Sequence, residues 1–465
     1  MKKILLALLT MTGLCMSVSE SRASHMMGGQ ITLAPAGGLT YVLTYTGYRD
    51  MLGIPIATSA MVSFQDSANG VSFFKTFTYD SANVVVLVPG VEQYTYSDTV
   101  TFPNAGNWYI SYEECCRNAA IVNMTSASGE SHHFYSRVEI DSVNASPEFL
   151  NPPIVLAQEG VPFYYNPLPF DANGDSIAWS LSVPLSSNGV PVAGYTLPSS
   201  DSLVPFNMDP ITGEITFLPN MVGNFQVSVR VNEYRNGIQI GEISRDMQII
   251  VVPSQNNPVS VILNSNMNPS GNKTYEVNPG SHINLSVSIY DQDAQSVTVT
   301  ASGEPFMLAS NPAVMNIVNG AGSASFTFDW TPDASQAREA SYLVSFRVNE
   351  NYAPYIFQSD VTLALRVGNF TTGIQEPVVS QHLSLSPNPA SSNVDLQFIA
   401  ETSEGVDINI IAHDGKLVKT LHQELASSGV QVVRMNVDEL AKGVYLLNVI
   451  QNGRQLGVDR LVIAE

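Results

Sequence analysis

Apolar and polar residues alternate with period two along almost the whole chain, and clusters of Gly, Pro, Asn and Asp separate the alternating runs. Successive side chains of an extended strand point to opposite faces, so this pattern predicts half-buried β-strands. No amphipathic helix of useful length is predicted; Ala334–Ala340 offers one or two turns at most. The pattern is clearest near the C-terminus. It predicts strands at Val394–Ala400, Val406–Ala412, Leu417–Leu425, Val430–Asn436, Val444–Ile450 and Gln455–Ile463. Asp414-Gly415 and Asn452-Gly453 between these runs are strong hairpin signals. The fold class expected is all-β, a row of tandem β-sandwiches ending in a smaller one.

Internal repetition sets the boundaries. Gly160 precedes Asp171-Ala-Asn-Gly-Asp-Ser-Ile177 at the same interval as Gly280 precedes Asp291-Gln-Asp-Ala-Gln-Ser-Val297. Thr216-Phe-Leu-Pro219 then parallels Asp329-Trp-Thr-Pro332. Each copy closes on the same words, Val229-Arg-Val-Asn-Glu233 and Phe346-Arg-Val-Asn-Glu350. Four landmarks in one order argue for two copies of one sandwich, 145–254 and 255–368. The expected segments are then a signal peptide (1–23), an N-terminal β domain (24–144), the two copies, a linker (369–381) and a C-terminal sandwich (382–465).

Composition narrows the compartment. Lys2-Lys3, the apolar run Ile4–Met16 and Ser21-Arg22-Ala23 read as a signal peptide, and no later run is long enough for a transmembrane helix. With 41 acidic against 20 basic residues the net charge is −21. A surface this negative, without a basic stripe, repels nucleic acid. Only 13% of residues are charged while 44% are hydrophobic, so the chain can bury cores and global disorder is excluded.

Three resemblances add to this reading. Pro387-Asn388-Pro389-Ala390-Ser391, Asp414-Gly415-Lys416-Leu417-Val418 and Gly443-Val444-Tyr445-Leu446-Leu447-Asn448-Val449 resemble the type A C-terminal sorting domain of the type IX secretion system of Bacteroidota. This implies secretion across the outer membrane to the cell surface or exterior. The partners implied are the type IX machinery and a sortase, with Pro387, Asn388, Pro389, Gly443 and Tyr445 carrying the sorting motif. The two middle copies resemble cadherin-like or immunoglobulin-like bacterial surface domains; Phe206-Asn-Met-Asp-Pro-Ile-Thr-Gly213-Glu-Ile-Thr-Phe-Leu-Pro219 is the closest phrase. His25-Met-Met-Gly-Gly-Gln-Ile-Thr32, Tyr48-Arg-Asp50 and Cys115-Cys-Arg-Asn118 resemble the N-terminal module of gliding-motility-associated surface proteins.

Candidate chemistry is sparse. Asp171, Asn173 and Asp175 set oxygen side chains on alternate residues of a Gly-containing loop. Glu233 could close a calcium site from a distant strand, as acidic residues do between tandem cadherin domains. Asp291, Asp293 and Glu350 are the counterparts in the second copy. Asp, Asn and Gly are also ordinary turn formers, and no cofactor beyond this candidate calcium is implied. Cys115 and Cys116, in an exported chain, either join as a vicinal disulfide that stiffens a binding loop or persist as buried thiols. His132 and His133 are strand neighbours on opposite faces and cannot easily chelate one ion together. Glu113 and Glu114 are likewise poor partners for acid–base work. Asp followed by Ser or Thr and then an aliphatic residue or Thr recurs, and it resembles the Bacteroidota O-glycosylation acceptor. Ser67, Ser81, Thr99, Ser142 and Ser202 are its candidates.

The expected function is a non-enzymatic surface array serving adhesion, matrix assembly or gliding-related contact with a surface glycan or protein ligand. One alternative is a carbohydrate-binding protein that stacks sugars on Tyr94, Tyr96, Trp108, Tyr109, Tyr112, Phe163, Tyr164 or Tyr165. Another is a hydrolase with its site in 24–144.

Overall fold

The computed structural model describes residues 26–464 apart from 52, 54, 67, 142, 154, 203, 254, 266–273, 371–382, 401, 413–415, 428 and 452–453. The signal peptide, His25 and both hairpin tips of the tail lie outside the described residues. Among the described residues the elements are β-strands and a few single 3₁₀ turns. Ala334–Gln336 is one such turn, capped by the Asp333 side chain.

The first segment is a strongly curled sheet. From edge to edge it runs Val71–Thr78, Ser59–Asp66, Gly106–Glu114, His132–Ile140, Ile238–Val252, Met26–Gly37, Thr40–Asp50, Val91–Thr101 and Val85–Val88. Tyr79 bridges Tyr96 and draws the outer strands together. Inside lies an aromatic-rich core that includes Tyr41, Tyr45, Phe64, Tyr96, Phe102 and Trp108.

One strand in that order belongs to the next segment. Ile238–Val252 pairs along one side with Gly223–Arg235 of its own sandwich. Its other side is divided between two segments. Gly241–Ile243 pair with Ser136–Val138, Asp246 with Gly29, and Ile249–Val252 run parallel to Val155–Gln158. The sheet therefore crosses the junction at residues 144 and 145. The two glycines of the His25–Thr32 phrase make this crossing sterically possible. A Cβ at Gly28 would overlap the Asp246 carbonyl oxygen, and one at Gly29 would come within 2.8 Å of the Thr46 carbonyl oxygen and 3.1 Å of the Phe134 ring.

The repeat landmarks occupy matching places in the two middle sandwiches. Gly160 donates its N–H to the Pro219 carbonyl at 2.8 Å, and Gly280 to the Pro332 carbonyl at 2.7 Å. Both glycines take positive φ, +75° and +81°, a turn geometry that disfavours a side chain. Val155–Gln158 and Thr274–Val277 each add a parallel edge to the closing strand of their sandwich. The second copy has its own core, with Phe326, Phe328, Trp330 and Phe346 at the centre.

The tail is a sandwich of a three-stranded and a four-stranded sheet around Leu396, Phe398, Ile408, Leu447 and Leu461. Its strands run Asn393–Ala400, Val406–Ala412, Leu417–Gln423, Gly429–Asn436, Gly443–Gln451 and Arg454–Ile463, close to the periodicity-based expectation. A further short strand, Ser384–Ser386, opens it.

Gly28→Ala is expected to lower stability by about 2–3 kcal/mol, because the clash is with backbone that cannot rotate away. Urea unfolding of the wild type and the variant measures this, and Gly129→Ala, at an exposed position with open space around it and no positive φ, is the surface control.

Candidate cation site and domain junctions

The Asp171–Asp175 loop sits where the first segment enters the second. Asp171 Oδ1 accepts N–H bonds from Asn173 and Asp175 at 3.0 and 2.8 Å, which closes the turn. Glu233 lies on the neighbouring strand, opposite Gly241. A Cβ at Gly241 would collide with the Glu233 carboxylate, so glycine leaves the space that this side chain fills. Ligand atoms of Asp171, Asp175 and Glu233 all lie within 4.8 Å of one another.

The three carboxylates are not equivalent. Asp175 is paired to Arg235, whose Nε and Nη2 donate to its two oxygens at 2.9 and 2.5 Å. The same guanidinium reaches back across the junction, to Asp141 at 2.9 Å and Asn144 at 2.5 Å. Glu233 is fully buried, and neither of its oxygens has a hydrogen-bond partner in good geometry, although the Asn144 amide beside it favours the charged form; Asp171 Oδ2 is also buried without a partner. Burial, with Asp171 and Asp175 alongside, pushes the Glu233 carboxyl up to about 8. Burial raises Asp171 as well.

Asn173 turns away from this group. Its Oδ1 accepts from Ala145 N–H at 2.6 Å and its Nδ2 donates to the Val143 carbonyl at 3.0 Å, so it fastens the linker. In the second copy Asp293 does the same job, accepting from Asn257 N–H and Nδ2 at 2.9 and 2.8 Å. The Gln295 amide, oriented to satisfy both groups, donates to Asp291. Glu350 is buried, and burial pushes it up to about 7. Among the described residues, Asp291, Asp293 and Glu350 do not form a tight three-carboxylate group.

Further buried polar groups hold the junctions, and the sequence did not reveal them as such. Arg117 and Asp246 form an ion pair at 2.8 Å, both nearly inaccessible. Arg117 also donates to the Ser131 and Leu185 carbonyls at 3.1 and 2.8 Å. Burial and Arg117 push the His132 imidazole down to about 4. The ring nitrogens of His132 face two acceptors, Nε2 the Met26 carbonyl at 3.2 Å and Nδ1 the Asp246 carboxylate at 3.4 Å. Arg245 donates to Gln30 at 2.5 Å and to the Asn151 carbonyl at 2.6 Å, and lies 4.0 Å from the Phe149 ring centre. At the next junction buried Arg347 and Asp360 pair at 2.8 Å, and Asp360 also accepts from Asn166 N–H at 2.9 Å.

The remaining candidates are scattered. Cys115 and Cys116 are bonded to one another, next to Arg117. His133 faces away from His132 and bonds Glu113 at 2.9 Å and Tyr109 at 2.8 Å; Glu114 bonds Tyr112 instead. Ser81, Thr99 and Ser202 are exposed, whereas Ser67 and Ser142 lie outside the described residues. Among the proposed sugar-stacking rings, Tyr94, Tyr96, Trp108, Tyr112, Phe163 and Tyr165 are buried. Only Tyr164 is exposed, at 38%, on the rim of a cavity of about 510 Å³ between both copies and the tail. In the tail, Asn388 is stitched to the last strand. Its Nδ2 donates to the Arg460 carbonyl at 2.6 Å, and its Oδ1 accepts from Val462 N–H at 2.8 Å. Of its neighbours, Pro387 is exposed and Pro389 is half-buried. Tyr445 is buried and donates to the Ala441 carbonyl at 2.8 Å; Gly443 begins its strand.

Residues 384–464 match the family model described as secretion system C-terminal sorting domain. The tail thus defines a secreted β-sandwich protein, exported by the type IX route across the outer membrane to the cell surface or the extracellular space. No helix among the described residues is long and apolar enough to cross a membrane. No curated protein matches the chain. Solved structures similar to it include the protocadherin gamma B2 extracellular cadherin domains 1–5, at 14% identity over 89% of this chain and 73% of that one, with a TM-score of 0.17. Zebrafish RET cadherin-like domains 1 to 4 share 13% identity over 95% and 97% of the two chains, TM-score 0.17, and Sidekick-1 immunoglobulin domains 1–4 share 11% over 92% and 96%, TM-score 0.16. Superpositions this loose carry no argument, and the all-β sandwich assignment rests on the strands described above.

The Glu233 carboxyl gives a pH test. The folded chain keeps its proton up to about pH 8, whereas the ordinary value, retained on unfolding, is 4.5. Folding therefore takes up a proton between these values, and stability falls as pH rises through the window, by up to about 1.4 kcal/mol per pH unit. Glu233→Gln keeps the shape without the charge. Its melting temperature is expected to exceed that of the wild type at pH 8 and to approach it at pH 5; scanning calorimetry in chelator at both pH values measures the difference.

Proposed function

We propose that this secreted protein is a non-enzymatic contact module, in which tandem sandwiches form a stiff body that serves adhesion, matrix assembly or gliding-related contact. The observation that carries the reading is the strand Ile238–Val252, which pairs with two segments at once. A sheet that runs through a junction resists bending there, as a flexible linker would not. The buried pairs Arg117–Asp246 and Arg347–Asp360 add directional contacts beside the first two junctions. The burial of most candidate stacking rings favours contact through sheet faces and edges over a sugar platform.

The Asp171–Asp175–Glu233 group is proposed as a hard-cation site of the calcium type, held by carboxylate oxygens. Its support is the pair of buried, unpartnered Glu233 oxygens. A divalent ion would satisfy them and offset the repulsion among the three carboxylates. Arg235 already neutralises Asp175, so the ion tunes the junction and is not required to build it. Millimolar calcium is expected to raise the melting temperature by a few degrees at pH 8 and by less at pH 6, where Glu233 holds its proton. An unchanged melting temperature, or an equal rise in Asp171→Ala, rejects the site.

Deleting residues 382–465 is expected to leave the protein in the periplasm, as cell fractionation would show. Beads coated with the exported protein are expected to bind cell or matrix surfaces saturably. If they bind nothing while a hydrolase screen finds turnover, the contact reading is wrong.

A further inference from the structure

The second copy carries an unguarded sheet edge. Its four-stranded sheet runs Ser260–Ser265, Ile283–Tyr290, Ser323–Trp330 and Val314–Val318, so Val314–Val318 is terminal. Its inner side pairs with Ser323–Trp330 and its outer side faces solvent. Val314, Ile317 and Val318 are 55%, 39% and 68% exposed. Natural sheets usually blunt such edges with charge, since a bare row of N–H and C=O groups is a template for another strand. Some sheet edges in this protein follow that rule: Val71–Thr78 carries Lys75, Leu417–Gln423 carries Lys419, and Gly429–Asn436 carries Arg434; others, such as Val85–Val88 and Ser260–Ser265, carry no charge. Val314–Val318 has no such guard, and no charged residue occurs anywhere from Pro305 to Phe328.

The sequence of this edge also names its partner. Val314-Met-Asn-Ile-Val318 reads nearly the same in both directions. In an antiparallel pair of two copies centred on Asn316, Val314 faces Val318 of the other copy, and Met315 faces Ile317. Asn316 meets its own counterpart, amide to amide. Every opposed pair then matches in polarity, as cross-strand stabilisation requires, and the two-fold axis makes the contact self-complementary. Electrostatics points the same way. Two chains of net charge −21 repel over most of their surfaces, and this uncharged stretch is where they approach at least cost.

We propose that two copies of the chain associate edge to edge through Val314–Val318, joining their four-stranded sheets into one sheet of eight strands. The occupant of the edge is a second copy of this protein. This goes beyond the contact reading above and does not depend on the cation site. A five-residue edge buries little surface, so the association is weak in dilute solution and strengthens when copies are crowded on a surface.

Charge exchange at Asn316 tests it, because this residue opposes itself. The exported chain is examined by sedimentation velocity at physiological salt from about 1 µM to about 1 mM. The wild type is expected to shift from monomer to dimer. Asn316→Lys and Asn316→Glu are each expected to remain monomeric, because like charges then face each other across the axis, and an equimolar mixture of the two is expected to dimerise again. Asn316→Cys is expected to cross-link to a dimer under mild oxidation, while Ser325→Cys, one strand inward on the same sheet, does not. A wild type that stays monomeric up to about 1 mM overturns the proposal. So does a single-charge variant that still dimerises, or cross-linking that is equal at both positions. If both charged variants fail to fold, the two cysteine variants still decide the matter.

Discussion

The body of this protein depends on one strand having two sets of neighbours. Ile238–Val252 completes the second segment's sandwich and also closes the edge of the first segment's sheet. That arrangement places Asp246 deep in the interface, where a carboxylate cannot remain charged without a partner. Arg117 supplies the charge, and His132 stays neutral beside it. The pair is weak as a source of net stability, since desolvation of both ions offsets much of their attraction. Its value lies in direction: only one docking of the segments brings the two groups together. The Gly28-Gly29 and Cys115-Cys116-Arg117 phrases fit this role. The first lets backbones approach, and the second delivers the guanidinium.

Much of the fold was legible from alternation alone, since a strand with one buried face must repeat every two residues. The tail strands fell within a residue or two of their expected ends. The landmarks behind the expected repeat are turn residues with matching jobs, such as the Gly160 and Gly280 turns that bond Pro219 and Pro332. Strand sharing was not legible. A strand that pairs with one neighbour and a strand that pairs with four carry the same alternating pattern, and the register that tells them apart is a property of distant residues.

The candidate site was legible in part for a similar reason. Asp171 and Asp175 stand close in sequence, and the parallel endings of the two copies suggested Glu233. Nothing in the sequence told Asn173 from a ligand. Its amide meets linker backbone only because residues 143 and 145 pass beside the loop. Arg235 was missed as well. Two residues beyond Glu233, it looks like an ordinary surface charge, yet it gathers Asp141, Asn144 and Asp175 into one cluster. The buried arginines 117, 245 and 347 were hidden by the same logic, because long side chains cross interfaces that periodicity does not describe.

The stitching of Asn388 to the final strand has a consequence for how the protein is made. The opening phrase of the tail is held by the carbonyl of Arg460 and the N–H of Val462, which are synthesised 72 and 74 positions after Asn388. Until synthesis has passed those residues the phrase has nothing to close upon. A polypeptide terminated before them therefore carries the letters of the label without the contacts that close it.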